Sequence, residues 1–384
     1  MKTNGTTPIP QGYKATPLGI IPQEWEIESL NQVCDFLDSQ RIPIKDSDRT
    51  KISGIYPYYG ASGIIDYVNN YIFNDDLILL AEDGANIINR STPIAFLVQG
   101  KIWVNNHAHV LKAKPSFDRY YLCAYLESIK YDKYNTGTAQ PKLNREVCEK
   151  IPVLAPLLAE QQKIAEILGT WDKAIEKQSQ LIRKLELRKK GLMQQLLTTK
   201  RRLPGFSDPW KKVRLGEISK IGTGNKNNED KVVNGKYPFF VRSSNVERIN
   251  SYSYDGEAIL IPGEGKIGEI IHYVNGKFDY HQRVYKISNF SNCLGKYLYY
   301  YLMCFFGKQA TNNSVKACVD SLRLSTFTNM KILYPSFEEQ TAITQVLTAA
   351  DREIELAQQK FELLRQQKRG LMQQLLTGKK RVKF

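Results

Sequence analysis

Apolar residues recur along two stretches of the chain at alternating steps of four and three. In the first, positions 164, 168, 171, 175, 178, 182, 185, 189, 192 and 196 hold Ile, Leu, Trp, Ile, Gln, Ile, Leu, Lys, Leu and Leu. In the second, positions 343, 347, 350, 354, 357, 361, 364, 368, 371 and 375 hold Ile, Leu, Ala, Ile, Ala, Phe, Leu, Lys, Leu and Leu. A 3.5-residue apolar period held over several heptads predicts coiled-coil helices. Each runs about 40 residues, or ~60 Å at 1.5 Å per residue, more than one small domain can cover. Two interruptions of the pattern coincide, Gln178 with Ala357 and Lys189 with Lys368. That coincidence predicts that the two helices pair with each other. Ser336 and Glu339 have the spacing of a capping box at the start of the second.

The segments before each helix are patterned differently. Short runs rich in Tyr, Ile, Val and Phe are cut by Gly, Asn and Pro: DLILLAEDG, IAFLV, AHVLKA, AILIPGEG, EIIHYV and RVYKIS. These predict short strands. Residues 119–129 and 294–306 have helical spacing. Asn275-Gly276 and Gln99-Gly100 predict hairpins or short loops. The fold class expected is α+β.

The same unit is written twice. GLMQQLLT occurs at 191–198 and again at 370–377, an offset of 179. The offset carries Pro156 to Pro335, Glu160-Gln161 to Glu339-Gln340, Ile164 to Ile343, Asp172 to Asp351 and Ile175 to Ile354. With small gaps the match continues upstream. Trp25 aligns with Trp210, Tyr56-Pro57-Tyr58-Tyr59 with Tyr237-Pro238-Phe239-Phe240, and Asp83-Gly84 with Glu264-Gly265. His107 and His109-Val110 align with His281 and Arg283-Val284. The expected organisation is a globular domain at 1–155, a helix at 156–202, a second globular domain at 203–334 and a second helix at 335–384.

Charge adds a possible partner. The 384 residues carry 54 basic and 39 acidic groups, net +15. Residues 1–158 are near neutral at −1, and 203–335 carry +7. The helix ends are the most polarised: 187–202 hold six basic groups and no acid, and 363–384 hold seven and no acid. This suits a solvated face, a helix C-terminus or a phosphate-tracking surface. A hydrophobic fraction of 42% excludes wholesale disorder. No apolar run approaches a membrane span, and the first residues lack a signal-peptide core, so a cytoplasmic protein is expected. The six cysteines form no C-x-x-C pair, which points to buried thiols rather than a disulfide or zinc framework.

Catalytic motifs are weak. Gly263-x-Gly265-x-x-Gly268 resembles a dinucleotide fingerprint, but a strand-like run follows where the motif needs a helix. Asp255, Glu264 and Lys266 mimic a metal-dependent nuclease spacing. His107-x-His109 could seed a metal site, both imidazoles on one face of a strand. No Walker A loop or G-x-S-x-G elbow is present. The chain is read as lacking a catalytic centre, a metal and a cofactor of its own.

The duplicated layout as a whole resembles the specificity subunit of type I restriction–modification systems. Ile21-Pro22-Gln23-Glu24-Trp25 and Leu203-Pro204-Gly205-Phe206 with Trp210 look like the start of that family's target-recognition domains. Tyr56-Pro57-Tyr58-Tyr59-Gly60-Ala61-Ser62-Gly63 and Gly137-Thr138-Ala139-Gln140-Pro141-Lys142-Leu143 resemble its loops. The second unit departs at Val315-Lys316-Ala317-Cys318-Val319-Asp320-Ser321-Leu322.

The resemblance implies two tandem target-recognition domains, each followed by a long helix, with the helices in an antiparallel coiled coil of pseudo-two-fold symmetry. Each domain would read one half of a bipartite double-stranded DNA site. The helices would set the spacing and dock two methyltransferase subunits, which use S-adenosylmethionine. Two restriction/translocase subunits, using ATP and Mg2+, would complete the enzyme, and this chain would do no chemistry. Loop residues with donors or flat side chains are the candidate DNA contacts: Tyr59, Ser62, Thr138, Gln140 and Lys142, then Arg242, Ser243, Asn245, Lys266, Lys316 and Arg323. The alternatives are a coiled-coil scaffold that does not bind DNA and a stand-alone metal-dependent nuclease.

Overall fold

A computed structural model describes residues 9–265, 268–312 and 322–383. The chain divides into two compact units, Met1–Gln178 with Lys360–Phe384, and Ser179–Gln359. Both long helices exist, Leu158–Leu196 and Phe337–Leu375, and each contributes residues to both units. None of the twenty heptad positions is exposed, and Gln178 and Ala357 are both buried.

In the first unit, a four-stranded sheet runs in the order Cys34–Phe36, Ala108–Ala113, Leu77–Ala81, Ala95–Val98. Leu77–Ala81 is buried at all five positions, as its unbroken apolar run requires of a strand covered on both faces. A second sheet orders Gly63–Val68, Ser53–Gly60, Lys101–Val104 and Phe73–Asn74. The helix Arg119–Ser128 packs on the first sheet. Asp118 caps that helix by accepting from Tyr121 N at 2.8 Å. The core gathers Trp25, Tyr121, Leu122, Tyr131, Ile164 and Leu168 together with Leu375 and Leu376 of the second long helix.

The second unit has one six-stranded sheet, in the order Lys220–Thr223, Val284–Ser288, Tyr254–Pro262, His272–Tyr280, Tyr237–Phe240, Val246–Ile249. The helix Gly295–Asn312 lies over it, and Met193, Leu196 and Leu197 of the first long helix join its core. Asn275-Gly276 is not a turn. It lies inside His272–Tyr280, with Gly276 facing Gly256 across the ladder, and both glycines have positive φ, 127° and 143°. Two facing glycines let the paired backbones adopt torsions that a Cβ would strain.

The identities shared by the repeats are explained by what they hold. Gln161 accepts from Asp118 N at 2.8 Å and donates to Pro156 O at 2.9 Å. Gln340 does the same with Leu294 N at 2.8 Å and Pro335 O at 3.1 Å. Trp25 and Trp210 donate their indole N–H to buried Glu160 and Glu339, at 3.0 and 3.2 Å. Only half of the expected capping box forms: Glu339 N donates to Ser336 Oγ at 3.3 Å, while the Glu339 carboxylate binds Arg202. A buried carboxylate gains more from a guanidinium and an indole than from one backbone N–H.

Part of the basic charge at the helix ends is committed within the chain. In the first unit Lys368 binds Asp172 at 2.5 Å, and Arg381 binds Glu160 and Glu24. In the second unit Lys189 binds Asp351, Arg188 binds Glu353 and Arg202 binds Glu339. Within each unit the partners run in opposite directions, as an antiparallel pair requires. The acids of one helix's first half meet the bases of the other's second half, so each lysine in the heptad seam has a carboxylate across from it.

Candidate nucleic-acid interface

In the first unit four connections meet at one end of the sheets. They are the turn after Ser53–Gly60, the loop after Leu77–Ala81, the turn before Ala108–Ala113, and the loop from Asn135 to Leu143. Asn105 N donates to Tyr59 O at 3.0 Å, and Asn105 Oδ1 accepts from His107 N at 2.8 Å. His107 Nδ1 lies 2.8 Å from Asp83 Oδ2. The last loop is pinned by Gly84 N to Pro141 O at 3.0 Å and Leu143 N to Glu82 O at 2.7 Å. Asn135 Oδ1 accepts from Gly137 N at 3.0 Å and Lys142 N at 2.9 Å. A Cβ at Gly137 would sit 1.8 Å from Gln140 O, so the loop closes only on glycine there.

Beneath this loop lies buried charge. His109 is 1% exposed, with Nδ1 2.7 Å from Asp38 Oδ2 and Nε2 2.8 Å from Leu143 O. Burial disfavours its charged form, but the bond to Asp38 and the neighbouring Cys148 sulfur outweigh this and hold its pKa at about 10. The imidazolium therefore donates from both nitrogens, one to the carboxylate and one to the loop carbonyl. Burial would raise the Asp38 pKa, yet its bonds to His109 and Val110 N hold it below the usual range. Arg41 joins the cluster, donating to Glu82 at 2.7 Å and to Ala108 O at 2.8 Å.

The second unit repeats the frame with other side chains. His281 N donates to Phe240 O at 2.9 Å, Gly263 N to Arg283 O at 2.8 Å and Leu322 N to Gly263 O at 2.7 Å. The first-unit counterparts are Asn105 N to Tyr59 O, Glu82 N to His107 O and Leu143 N to Glu82 O. Arg283 thus stands where His107 stands, and Glu264 where Asp83 stands. Tyr285 takes the place of His109, donating its hydroxyl to Leu322 O at 3.1 Å. The sequence pairing of His107 with His281 is off by two residues. The backbone bonds fix the true register, and the side chains at the shared positions have diverged. Arg283 and Arg242 grip the two oxygens of Glu264 at 2.9 and 3.3 Å. His281 stays neutral, its pKa lowered by burial and then by the charge of Arg242.

The candidate residues fall unevenly. Ser62, Thr138, Gln140 and Lys142 are exposed on first-unit loops, and Lys142 lies 3.5 Å from Glu82. Tyr59 is not a loop residue. It ends a strand, half-buried against Phe96, because the strand runs on to Gly60. Arg242, Ser243 and Asn245 follow Tyr237–Phe240, with Ser243 Oγ donating to Asn245 O at 3.1 Å. Arg323 immediately precedes the short helix Leu324–Thr328, beside Leu322, without a side-chain bond to it. Lys266 and Lys316 lie outside the described residues. Sequence reasoning missed Arg283, Glu264 as its partner, and Asn105. The signal was present, a polar turn between two strands in both repeats, but the two-residue misalignment hid it.

The metal readings dissolve on geometry. Asp255 lies near the start of Tyr254–Pro262 and Glu264 two residues past its end, and the strand from Asp255 to Pro262 alone spans about 23 Å at 3.3 Å per residue. They cannot share an ion. His107 lies before the strand that contains His109, and each imidazole has its own carboxylate. Among the described residues no group of three or more His, Cys, Asp or Glu could hold a metal. Gly263 to Gly268 joins strand to strand, with Tyr254–Pro262 before it and His272–Tyr280 after it.

Comparison with known proteins decides the family. The type I restriction modification DNA specificity domain matches residues 22–187 and again 207–366. The chain belongs to the type I restriction–modification specificity family. A Methanocaldococcus jannaschii relative, the type I restriction enzyme MjaVIII specificity subunit, is 27% identical over 94% of this chain and 94% of its own length. A Haemophilus influenzae relative described as a type I restriction enzyme specificity subunit is 28% identical over 84% of this chain and 87% of its own. The crystal structure of a type I restriction–modification S subunit from M. genitalium shares the fold. It has a TM-score of 0.61 at 16% identity, covering 91% of this chain and 96% of that one. The family carries the two tandem domains and the pair of long helices that the repeat predicts. Among the described residues no helix is long and apolar enough to cross a membrane.

Proposed function

We propose that this specificity-family chain reads a bipartite double-stranded DNA site, each unit contacting one half through its cluster of turns. The observation that carries this reading is the duplicated frame: the same backbone bonds in both units, bearing different exposed polar side chains. Two matched frames with different donors suit two different short sequences on one duplex. Ser62, Thr138, Gln140 and Lys142 contact one half, with Tyr59 supporting their turn. Arg242, Ser243, Asn245 and Arg323 contact the other, together with Lys266 and Lys316. The long helices set the spacing and dock two methyltransferase subunits. Two restriction/translocase subunits complete the assembly in the cytoplasm. The chain itself is non-catalytic and holds no cofactor; S-adenosylmethionine, ATP and Mg2+ serve the partners.

The test is to co-express the chain with its methyltransferase subunit and map N6-methyladenine across the host genome. The expected result is a new split motif, two short specific halves around a fixed gap. A soluble, assembled complex that neither methylates nor binds duplex DNA overturns the reading.

A further inference from the structure

One exposed position changes its chemistry between two otherwise matched frames. In the first unit it is His107, held by Asp83 at 2.8 Å; in the second it is Arg283, held by Glu264 at 2.9 Å. The backbone on either side is fixed by the same bonds, through the carbonyl of the residue itself and through the residue two places before it. Both side chains reach outward, 50% and 58% exposed. Groups shared by the two units cannot distinguish one half-site from another. A changed donor on an unchanged frame can.

The chemistry of the second-unit position is specific. Glu264 is 19% exposed, with Oε1 facing Arg283 and Oε2 facing Arg242. With both oxygens taken, it is poorly placed to accept from a cytosine amino group and instead fixes the guanidinium. A guanidinium has five donors in a rigid fork. One edge bound to a carboxylate leaves others directed outward, in the geometry that matches O6 and N7 of guanine. Two open clefts flank Glu264, of about 430 and 350 Å³, with Asn228 and Ser243 in one and Thr223 and Gln282 in the other. There is room for a base edge beside the fork.

We infer that Arg283 reads a guanine in the half-site of the second unit, with Glu264 as its positioning residue, and that His107 on Asp83 fills the same reading position for the first unit. The inference rests on the two-half-site reading above.

The test uses the full chain assembled with its methyltransferase subunits, binding a pool of random duplex DNA whose bound fraction is sequenced. Wild type should enrich two short motifs around a fixed gap. Arg283→Ala should weaken discrimination at one G·C pair of one half by about 10- to 100-fold and leave the other half unchanged. Arg283→Lys should relax the same position, because it keeps the charge but loses the fork. Glu264→Gln should weaken that position too, and His107→Ala should relax a position in the other half only. Retained preference at the remaining positions of the same half shows that the altered unit is still folded. A wild-type pool without a split motif overturns the underlying reading and this inference with it. A split motif that survives Arg283→Ala unchanged overturns the inference alone. So does relaxation away from any G·C pair, or a uniform loss of binding across sequences, as removal of a phosphate contact gives.

Discussion

Arg381 donates from Nε and Nη2 to the two oxygens of Glu160, at 2.6 and 2.9 Å. Its repeat counterpart Arg202, 179 residues earlier, grips Glu339 at 2.6 and 2.7 Å. In each unit the residues after one long helix therefore neutralise a buried carboxylate in the first turn of the other. Removing a partner from a buried charge is far more damaging than losing an exposed pair. Arg381→Ala should cost about 2–3 kcal/mol, at the low end because water reaches part of the guanidinium. Hydrogen exchange should rise around Trp25 and Tyr121 in the first unit. Arg202→Ala should raise it around Trp210 and Tyr297 in the second. Loss of protection in the wrong unit would contradict the pairing.

The turn that ends each long helix holds a second asymmetry. Gly378 has φ +70°, and Thr199, its counterpart, has φ +61°. A left-handed torsion costs an ordinary residue ~1–2 kcal/mol. Thr199→Gly should therefore raise stability by about 0.5–1 kcal/mol, net of the extra freedom it gives the unfolded chain. Gly378→Ala should lower stability by more than about 2 kcal/mol, since strain adds to a clash. Its Cβ would lie 2.3 Å from Pro22 Cδ. Urea midpoints of the two variants should move in opposite directions.

His109 makes the stability of the first unit pH-dependent. Its folded pKa, about 10, lies above the ordinary 6.5. The stabilisation is therefore complete below pH 6.5 and is lost as pH rises towards 10. Asp38, lowered from 3.8, acts in the opposite sense: its contribution is present above pH 3.8 and is lost as pH falls through its lower folded value. Protection of the 135–143 loop should decline between pH 6.5 and 10, and His109→Gln should flatten that decline. In the second unit Tyr285 holds the matching carbonyl as a neutral phenol, its pKa raised by burial above 10. That loop anchor should not weaken in the same window.

The spacing role of the helices has a numerical test. One extra heptad in both helices adds ~10 Å at 1.5 Å per residue. The preferred gap between half-sites should lengthen by ~3 base pairs at 3.4 Å each. An active assembly with an unchanged gap would remove the helices from that role.

The long helices were legible because a heptad seam is a local pattern, and all twenty seam positions avoid full exposure. The fate of their basic ends was not. Arg381 meets Glu160 across 221 residues, and Lys368 meets Asp172 across 196, separations that no window of sequence contains. The loops of the site were partly legible. The 137–143 run is a loop, as its resemblance implied, and Ser62 and Gln140 are exposed on loops. Tyr59 was misplaced because a Tyr-rich run reads the same as the end of a strand or the start of a turn. Arg283 was missed because a histidine attracts alignment to a histidine, whereas the register follows Asn105 N and His281 N, which carry no sequence signal.

Residues 360–384 belong to the first unit, although all of the second unit's residues precede them in translation. Leu375, Leu376 and Arg381 reach the first unit's core and its buried carboxylate only after residues 179–359 have left the ribosome. At ~5–20 residues per second that is a delay of roughly ten to forty seconds. The unit begun first is thus the unit finished last. Until then it presents an unfilled apolar slot and a Glu160 without its guanidinium partner, while the second unit already has all of its parts. A nascent chain stalled or cut short near its end would carry a complete second unit and an unfinished first one.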